Sequence, residues 1–193
     1  MRDEFLLDDV HVIRALAHPL RIRMLSMLQQ EGPATSTTLS RALGESTGNT
    51  SYHLRQLARH GLVEENTERG DRRDRWWTAA ARHYNLAPAL DGSPEHKAAI
   101  AGLRARVLEH DAVIVASFFE HEDIFESAVR DEATFTNHVV YATPEELTTI
   151  RAKISDIFRE FERPDPASRP DCADRWYGVL RLVPWKPERS RKS

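Results

Sequence analysis

The chain has 193 residues and a net charge of −3, and its 40% hydrophobic and 30% charged residues are typical of a globular protein. This length allows one large domain or two small ones, and the single cysteine excludes an intrachain disulfide and a cysteine-rich zinc site. No apolar run approaches the roughly 18 residues that span a bilayer, and the acidic start lacks a signal-peptide core. We therefore expect a cytoplasmic protein with no membrane partner.

The charge is segregated along the chain. Residues 11–85 hold 11 arginines against 7 acidic residues, a net charge of +4. The first ten residues carry −3, and residues 86–193 carry −4, from 15 basic and 19 acidic side chains. Only the middle segment is therefore suited to a polyanionic partner.

Four helices are predicted in the first 60 residues. Apolar spacing predicts one over residues 10–17 and a second that begins at Pro19, a residue tolerated in a first helical turn. A third begins at Thr35 or Ser36 as the cap and ends at Gly44. The fourth spans residues 46–60.

A charged hairpin follows these helices. Two strand-like runs, 62–65 and 75–79, flank "NTERGDRRD", in which Gly70-Asp71 suits a turn. Helices followed by such a hairpin predict a winged helix-turn-helix domain over residues 1–85.

The second half, residues 86–193, is predicted to be a separate domain that begins in the Pro-, Gly- and Ser-rich stretch 86–94. A long helix is predicted over 95–125, and it is apolar nearly all round between 112 and 119, so it must be covered on several sides. Beyond it we predict a small β-α-β unit made of a strand at 135–142, a helix that begins with the cap Thr143, and a strand at 175–183. The fold class is α+β, mainly α.

The fourth helix has two chemically different faces. Thr50, Leu54, Leu57 and Ala58 point toward the other helices. The opposite face carries Gly48, Asn49, Tyr52, Arg55, Gln56 and Arg59. Arginine pairs with guanine in a major groove, and Asn or Gln pairs with adenine. Small residues at the start of the helix, Thr47 among them, let the backbone approach phosphates.

The hairpin adds arginines that suit phosphates or a narrow minor groove. They are Arg69, Arg72, Arg73 and Arg75. Helix and hairpin together predict a protein that binds double-stranded DNA.

Two motifs resemble the ArsR-type winged-helix repressors of bacteria: "ALAHPLRIRML" at 15–25 and "SYHLRQLARHGLV" at 51–63. The wing "ERGDRRDRWWTAA" and the later "VVYATPEEL" are similar to a group of actinobacterial ArsR-like regulators with a β-α-β extension. The resemblance implies that Ser51, Tyr52, His53 and Arg55 face DNA. It also implies a homodimeric repressor that reads a palindromic operator.

The metal sites of that family are incomplete here, so we expect neither a metal nor a cofactor. The helix before the DNA-reading helix, "STTLSRALG", has no cysteine. His110 and His121 keep a His-x10-His spacing, but Leu108 and Ile124 occupy the flanking ligand positions. A metal-responsive sensor that uses this histidine pair across a dimer stays open as an alternative.

Other classes of protein fit the sequence less well. An enzyme is not expected, because the chain has no Gly-rich phosphate loop, no Gly-x-Ser-x-Gly and no His-Glu-x-x-His. A winged helix used as a protein-interaction module would have an uncharged wing and an apolar fourth helix, unlike this one. The aromatic residues of the second half could form a core or line a pocket for a small-molecule effector.

Overall fold

The computed structural model describes residues 2–67, 74–86, 92–163 and 166–184. Its strands are β1 (Arg2–Leu7), β2 (Ala34–Thr35), β3 (Val63–Glu65), β4 (Trp76–Ala79) and β5 (Ala81–Leu86). Its helices are α1 (Val10–Leu16), α2 (Pro19–Gln30), α3 (Ser36–Leu43), α4 (Thr47–Arg59), α5 (Pro94–Glu120), α6 (Ser127–Arg130) and α7 (Pro144–Phe161). Short 3-10 turns lie at Glu122–Ile124 and Pro166–Ser168.

Local hydrogen bonds fix where the helices begin and end, as the sequence predicts. The hydroxyl of Thr35 accepts the N–H of Thr38 at 3.1 Å and caps α3, which ends at Gly44 in a left-handed conformation (φ +69°). Before α7, Thr143 and Glu146 form a reciprocal capping box. These contacts satisfy backbone groups that the ends of a helix otherwise leave without partners.

One hydrophobic core unites the first four helices with the sheet. Its most deeply buried side chains are Ile13, Met24, Leu28, Leu39, Leu54, Leu57, Leu62 and Val63. Ala99, Ile100 and Leu103, in the first part of α5, belong to the same cluster. The long helix is therefore anchored at its start in the core of the winged helix.

The predicted hairpin is confirmed. Strands β3 and β4 pair antiparallel, with Val63 opposite Ala79 and Glu65 opposite Trp77, and β2 adds a short third strand on the other side of β4. The tip of the hairpin, residues 68–73, lies outside the described residues.

A second sheet was not predicted. Strand β1 pairs in parallel with β5, with Arg2 opposite Ala81 and Leu7 opposite Leu86. The ring of Phe5 stacks on Tyr84 at 5.4 Å, and the Tyr84 hydroxyl donates to the backbone oxygen of Leu62 at 2.6 Å. The start of the chain is thereby joined to the strand that directly follows the wing.

The predicted β-α-β unit is wrong in its strands. Helix α7 is present, but residues 135–142 and 175–183 carry no strand pairing in the described part of the chain. Their β-branched and aromatic composition favours a strand, yet β-propensity only has an effect where a neighbouring strand completes the ladder. Nearly all of these residues are exposed.

Polar contacts connect the second half to the first. Arg159 of α7 pairs with Glu4 at 3.3 Å, and Arg175 pairs with Glu31. The buried carboxylate of Asp111 on α5 accepts the Tyr177 hydroxyl at 2.5 Å and also pairs with Arg181. In the described ranges, no helix is both long enough and apolar enough to span a membrane.

Candidate nucleic-acid interface

Helix α4 presents one buried face and one exposed face. Thr50, Leu54 and Leu57 are completely buried, and the Thr50 hydroxyl donates to the backbone oxygen of Ser36 at 3.0 Å. On the other face, Tyr52 is 54% exposed and Arg55 and Arg59 are exposed. An aromatic ring and two guanidinium groups are thus available to a partner outside the chain.

The start of α4 is built from small polar residues that are already hydrogen-bonded. The Ser46 hydroxyl accepts the Asn49 N–H at 3.2 Å, and the Asn49 side-chain amide donates to Glu45 at 2.8 Å. Thr47 is exposed, with its hydroxyl 3.3 Å from that of Ser40. Glu45 occupies one of the two N–H donors of this amide, so the other N–H and the carbonyl oxygen of Asn49 stay available to an adenine.

Two further predicted positions on α4 are half-buried. They are Ser51 and Gln56. They lie between the buried and exposed faces, so their side chains reach the surface at the border of the exposed face.

His53 does not lie on the exposed face of α4, where the resemblance implies that it faces DNA. Only 6% of His53 is exposed, and its ring lies against His18 with the ring centroids 4.5 Å apart. Its position on the helix places it one residue after Tyr52, at the side where α4 meets the start of α2. Packing against α2 therefore turns the imidazole inward.

Sequence reasoning missed the cluster that His53 joins. His18 caps α2 by accepting the Leu20 N–H at 3.2 Å, and the Arg21 guanidinium lies 3.4 Å from His53. The family-like stretch around Pro19 contains both residues, but their spacing in sequence does not indicate contact with α4.

The cluster keeps its histidines neutral. Burial lowers the pKa of His53, with His18 and Arg21 lowering it further and Glu45 opposing them. Burial likewise lowers the pKa of His18, with a further contribution from Arg21. Both shifts favour the neutral imidazole, although the two residues lie within a segment of net positive charge.

One of the four predicted wing arginines is described. Arg75, just before β4, is exposed and lies 3.8 Å from Glu65 on β3, a loose pair that leaves most of the guanidinium in solvent. Arg69, Arg72 and Arg73 lie outside the described residues.

The two histidines of the alternative metal site have different surroundings. His110 is half-buried and burial lowers its pKa, whereas His121 is exposed and its Nδ1 lies 3.0 Å from the backbone oxygen of Ser117. Among the residues that the structure describes, no group of three or more His, Cys, Asp or Glu side chains is placed to hold a metal ion.

Residues 16–66 match the model of a helix-turn-helix domain. This match includes α2, α3, α4 and β3. No curated protein matches the chain.

The chain is similar to parts of several solved structures. HlyU from Vibrio cholerae shares 28% identity, with 50% of this chain and 87% of that chain covered and a TM-score of 0.33. NMB1585, a MarR family regulator from Neisseria meningitidis, shares 17% identity over 77% of this chain and 76% of that one (TM-score 0.30). MepR from S. aureus, as a mutant bound to an oligodeoxyribonucleotide, shares 15% over 77% and 78% (TM-score 0.29). Scores of this size do not establish a common overall structure.

The chain's own helices and hairpin, together with the domain match, define a winged helix-turn-helix protein. A helix-turn-helix domain is a DNA-binding module. This places the chain among DNA-binding regulators rather than enzymes.

Proposed function

We propose that the chain is a homodimeric, sequence-specific transcriptional regulator of the ArsR type that represses genes by binding a palindromic operator. The observation that carries the proposal is the exposed face of α4, where Tyr52, Arg55 and Arg59 lie opposite the buried Thr50, Leu54 and Leu57. A helix in this position of the fold enters the major groove, where guanidinium groups pair with guanine.

The wing supplies contacts of a second kind. Arg75 extends from the start of β4, and Arg69, Arg72 and Arg73 follow β3 in the sequence. Arginines at this position suit the phosphate backbone or the minor groove beside the major-groove helix. In this proposal α4 reads the sequence and the wing supplies affinity that depends little on sequence.

A dimer is supported by the apolar surface that a single chain leaves exposed. Val113, Phe119 and Ile124, in and just after the end of α5, are each at least half exposed. Two-fold dimers bind half-sites that are one helical turn apart or a multiple of it. A second copy would cover the apolar surface and pair the two reading helices.

The proposal is tested by selecting a binding site from random DNA and comparing variants on that site and on a scrambled duplex. Arg55→Ala or Gln56→Ala should cost about 1–3 kcal/mol on the selected site and little on scrambled DNA. Arg72→Ala or Arg73→Ala should weaken binding to both duplexes and reduce the salt slope by about one unit per lost phosphate contact.

Arg104→Ala, an exposed arginine on α5, is the matched control and should bind like the wild type. Failure to enrich any site would contradict the proposal. Equal losses for the α4 and wing variants on both duplexes would contradict the division between reading helix and wing.

A further inference from the structure

The two histidines at the joint between α2 and α4 both use Nδ1 as a hydrogen-bond acceptor. Nδ1 of His18 accepts the backbone N–H of Leu20 at 3.2 Å. Nδ1 of His53 lies 3.4 Å from a terminal nitrogen of Arg21, and a guanidinium can only donate. Each ring is therefore a neutral imidazole with its proton on Nε2, because a proton on Nδ1 would remove the acceptor.

This cluster connects three helices. Nε of Arg21 on α2 donates to the backbone oxygen of Ala15 on α1, and its terminal nitrogen reaches His53 on α4. The His18 and His53 rings are 4.5 Å apart with 38° between their planes. Tyr52, the exposed aromatic residue of the DNA-reading face, meets the His53 ring edge-on at 5.1 Å.

The charged and titratable groups around His53 come from each element that packs against it. They are His18 and Arg21 from α2, Glu45 from the turn before α4, and Tyr52 from α4 itself. The Glu45 carboxylate accepts a hydrogen bond from Asn49. A proton on either imidazole would place a new cation beside Arg21, and like charges at this distance repel.

We propose that His53 is a positioning residue that, with His18 and Arg21, fixes α4 against α2, and that acid releases this contact and weakens sequence-specific DNA binding. The inference rests on the proposed function, because α4 must be the DNA-reading helix for its position to matter. His53 acts through Tyr52 and the rest of the exposed face and does not itself contact a base.

Acid also has an opposite, general effect on DNA binding. Two imidazolium groups near the DNA-binding face would increase the attraction to any phosphate backbone. Positioning should therefore be measured as the ratio of the affinities for a specific and a scrambled duplex, which removes the general effect.

The experiment measures this ratio for the full chain between about pH 7.5 and pH 5 at constant ionic strength, a range that extends below the ordinary titration of histidine because both pKa values are lowered. In the wild type we expect the ratio to fall about tenfold, which corresponds to the loss of one hydrogen bond to a charged group. Circular dichroism at both pH values checks that the protein stays folded.

The informative variant is His18→Asn/His53→Asn. The asparagine Oδ1 can accept the same two hydrogen bonds without titrating, and asparagine is a good helix cap with a helix propensity close to that of histidine. We expect its ratio to change less than about twofold over the same range, because the joint then has no imidazole that can take up a proton. His60→Asn, at the end of the same helix, is the control and should follow the wild type.

A second measurement needs neither DNA nor a variant. Nitrogen-15 NMR of the histidine rings should show His18 and His53 as neutral Nε2–H tautomers at neutral pH. An Nδ1–H tautomer in either ring would overturn the inference, as would the same pH dependence in the wild type and the double asparagine variant. Global unfolding at the lower pH would also overturn it, since binding would then be lost on both duplexes. Absence of specific binding at neutral pH would instead reject the proposed function.

Discussion

Apolar residues are buried in the winged helix and are largely exposed in the part of the second half that follows the start of α5. In the winged helix, Ile13, Met24, Leu39 and Leu54 are fully buried in one core. No residue described between 112 and 184 is buried, although that part contains phenylalanines, isoleucines and valines at helical spacing. Phe119, Ile157 and Phe161 are each at least half exposed.

Apolar spacing along a helix therefore predicts that one face of the helix is covered. It does not specify whether the same chain or another molecule covers that face. Helix α7 has the capping box and the apolar face of a well-formed helix, yet none of its residues is buried. Exposed apolar patches of this extent are uncommon on monomers and mark surfaces that another molecule covers. The first part of α5 completes the core of the first half, and the residues that follow are held to it by ion pairs and by the buried Asp111.

The largest effect that we expect from this contrast is in the core of the first half. Leu54→Ala should lower the free energy of unfolding by about 2–5 kcal/mol, because it leaves a cavity at a fully buried site. Ile157→Ala, at a position that is 58% exposed, should cost less than about 1 kcal/mol in a dilute, monomeric sample. Urea denaturation measures both, and equal losses would remove the distinction between the halves.

The second effect concerns self-association. Phe119→Glu and Ile157→Glu should each weaken dimer formation at least about tenfold, because they place a charge in an apolar interface. Analytical ultracentrifugation over a concentration series measures this directly. Ala101→Glu, at an exposed position in the first part of α5, is the control. A wild-type chain that stays monomeric at micromolar concentration would contradict the dimer.

The third effect tests the polar attachment of the second half. Asp111→Asn weakens the contacts with Tyr177 and Arg181, and the local cost should be about 1–2 kcal/mol, reduced because the Arg181 side chain is 47% exposed. Hydrogen exchange should accelerate in residues 175–183 and stay unchanged in α4. Glu109→Gln, which removes an exposed ion pair with Arg106 on the same helix, should change neither region.

The hydrogen bond between Tyr177 and Asp111 can also be followed through the ultraviolet absorbance of the Tyr177 phenol, which changes when the phenol loses its proton. Burial raises the pKa of Tyr177, and the hydrogen bond and negative charge of Asp111 raise it further. In Asp111→Asn the Tyr177 pKa should fall toward its ordinary value, and an ultraviolet titration would detect the change. An unchanged tyrosine titration would show that the hydrogen bond does not form in solution.

The smallest effect should come from metals. Zinc, nickel or cobalt at micromolar concentration should leave operator binding unchanged, because His121 is exposed and the ligand positions beside the histidine pair hold Leu108 and Ile124. The titration is made on the wild type and on His110→Ala/His121→Ala. Metal-induced release in the wild type that the double variant lacks would establish the metal-sensor alternative.

The features that could be predicted from the sequence are those fixed within a few residues. Thr35 and Thr143 cap helices where the sequence predicts caps, and Gly44 ends α3 in the left-handed conformation that glycine favours. Helix α4 and the strands of the hairpin follow from the same local patterns. The hydrogen bonds of the helix close over about four residues, and the hairpin strands pair over a short separation, with Glu65 opposite Trp77, so nearby sequence is enough to specify them.

The features that could not be predicted depend on partners far away in the sequence. Strand β1 needs β5, about 80 positions later, and nothing within residues 2–7 indicates that pairing. His53 lies at the border between the two faces of α4, and only contact with His18 decides that it is buried. The apolar composition of residues 135–142 favours a strand, but a strand also requires a pairing partner, which the local sequence does not specify.

Helix α5 is long and is anchored in the core at one end only, so a small rotation at that end produces a larger displacement at the other. Its 27 residues extend for about 40 Å, with the first part fixed in the winged-helix core. A tilt of only about 5° at that fixed end moves the far end by about 3–4 Å. If two copies join through their far ends, such a tilt changes the distance between the two reading helices, which must fit half-sites about 34–36 Å apart. An effector would then need no contact with DNA or with α4 to dissociate the operator complex, because bending or rotating this helix would be enough.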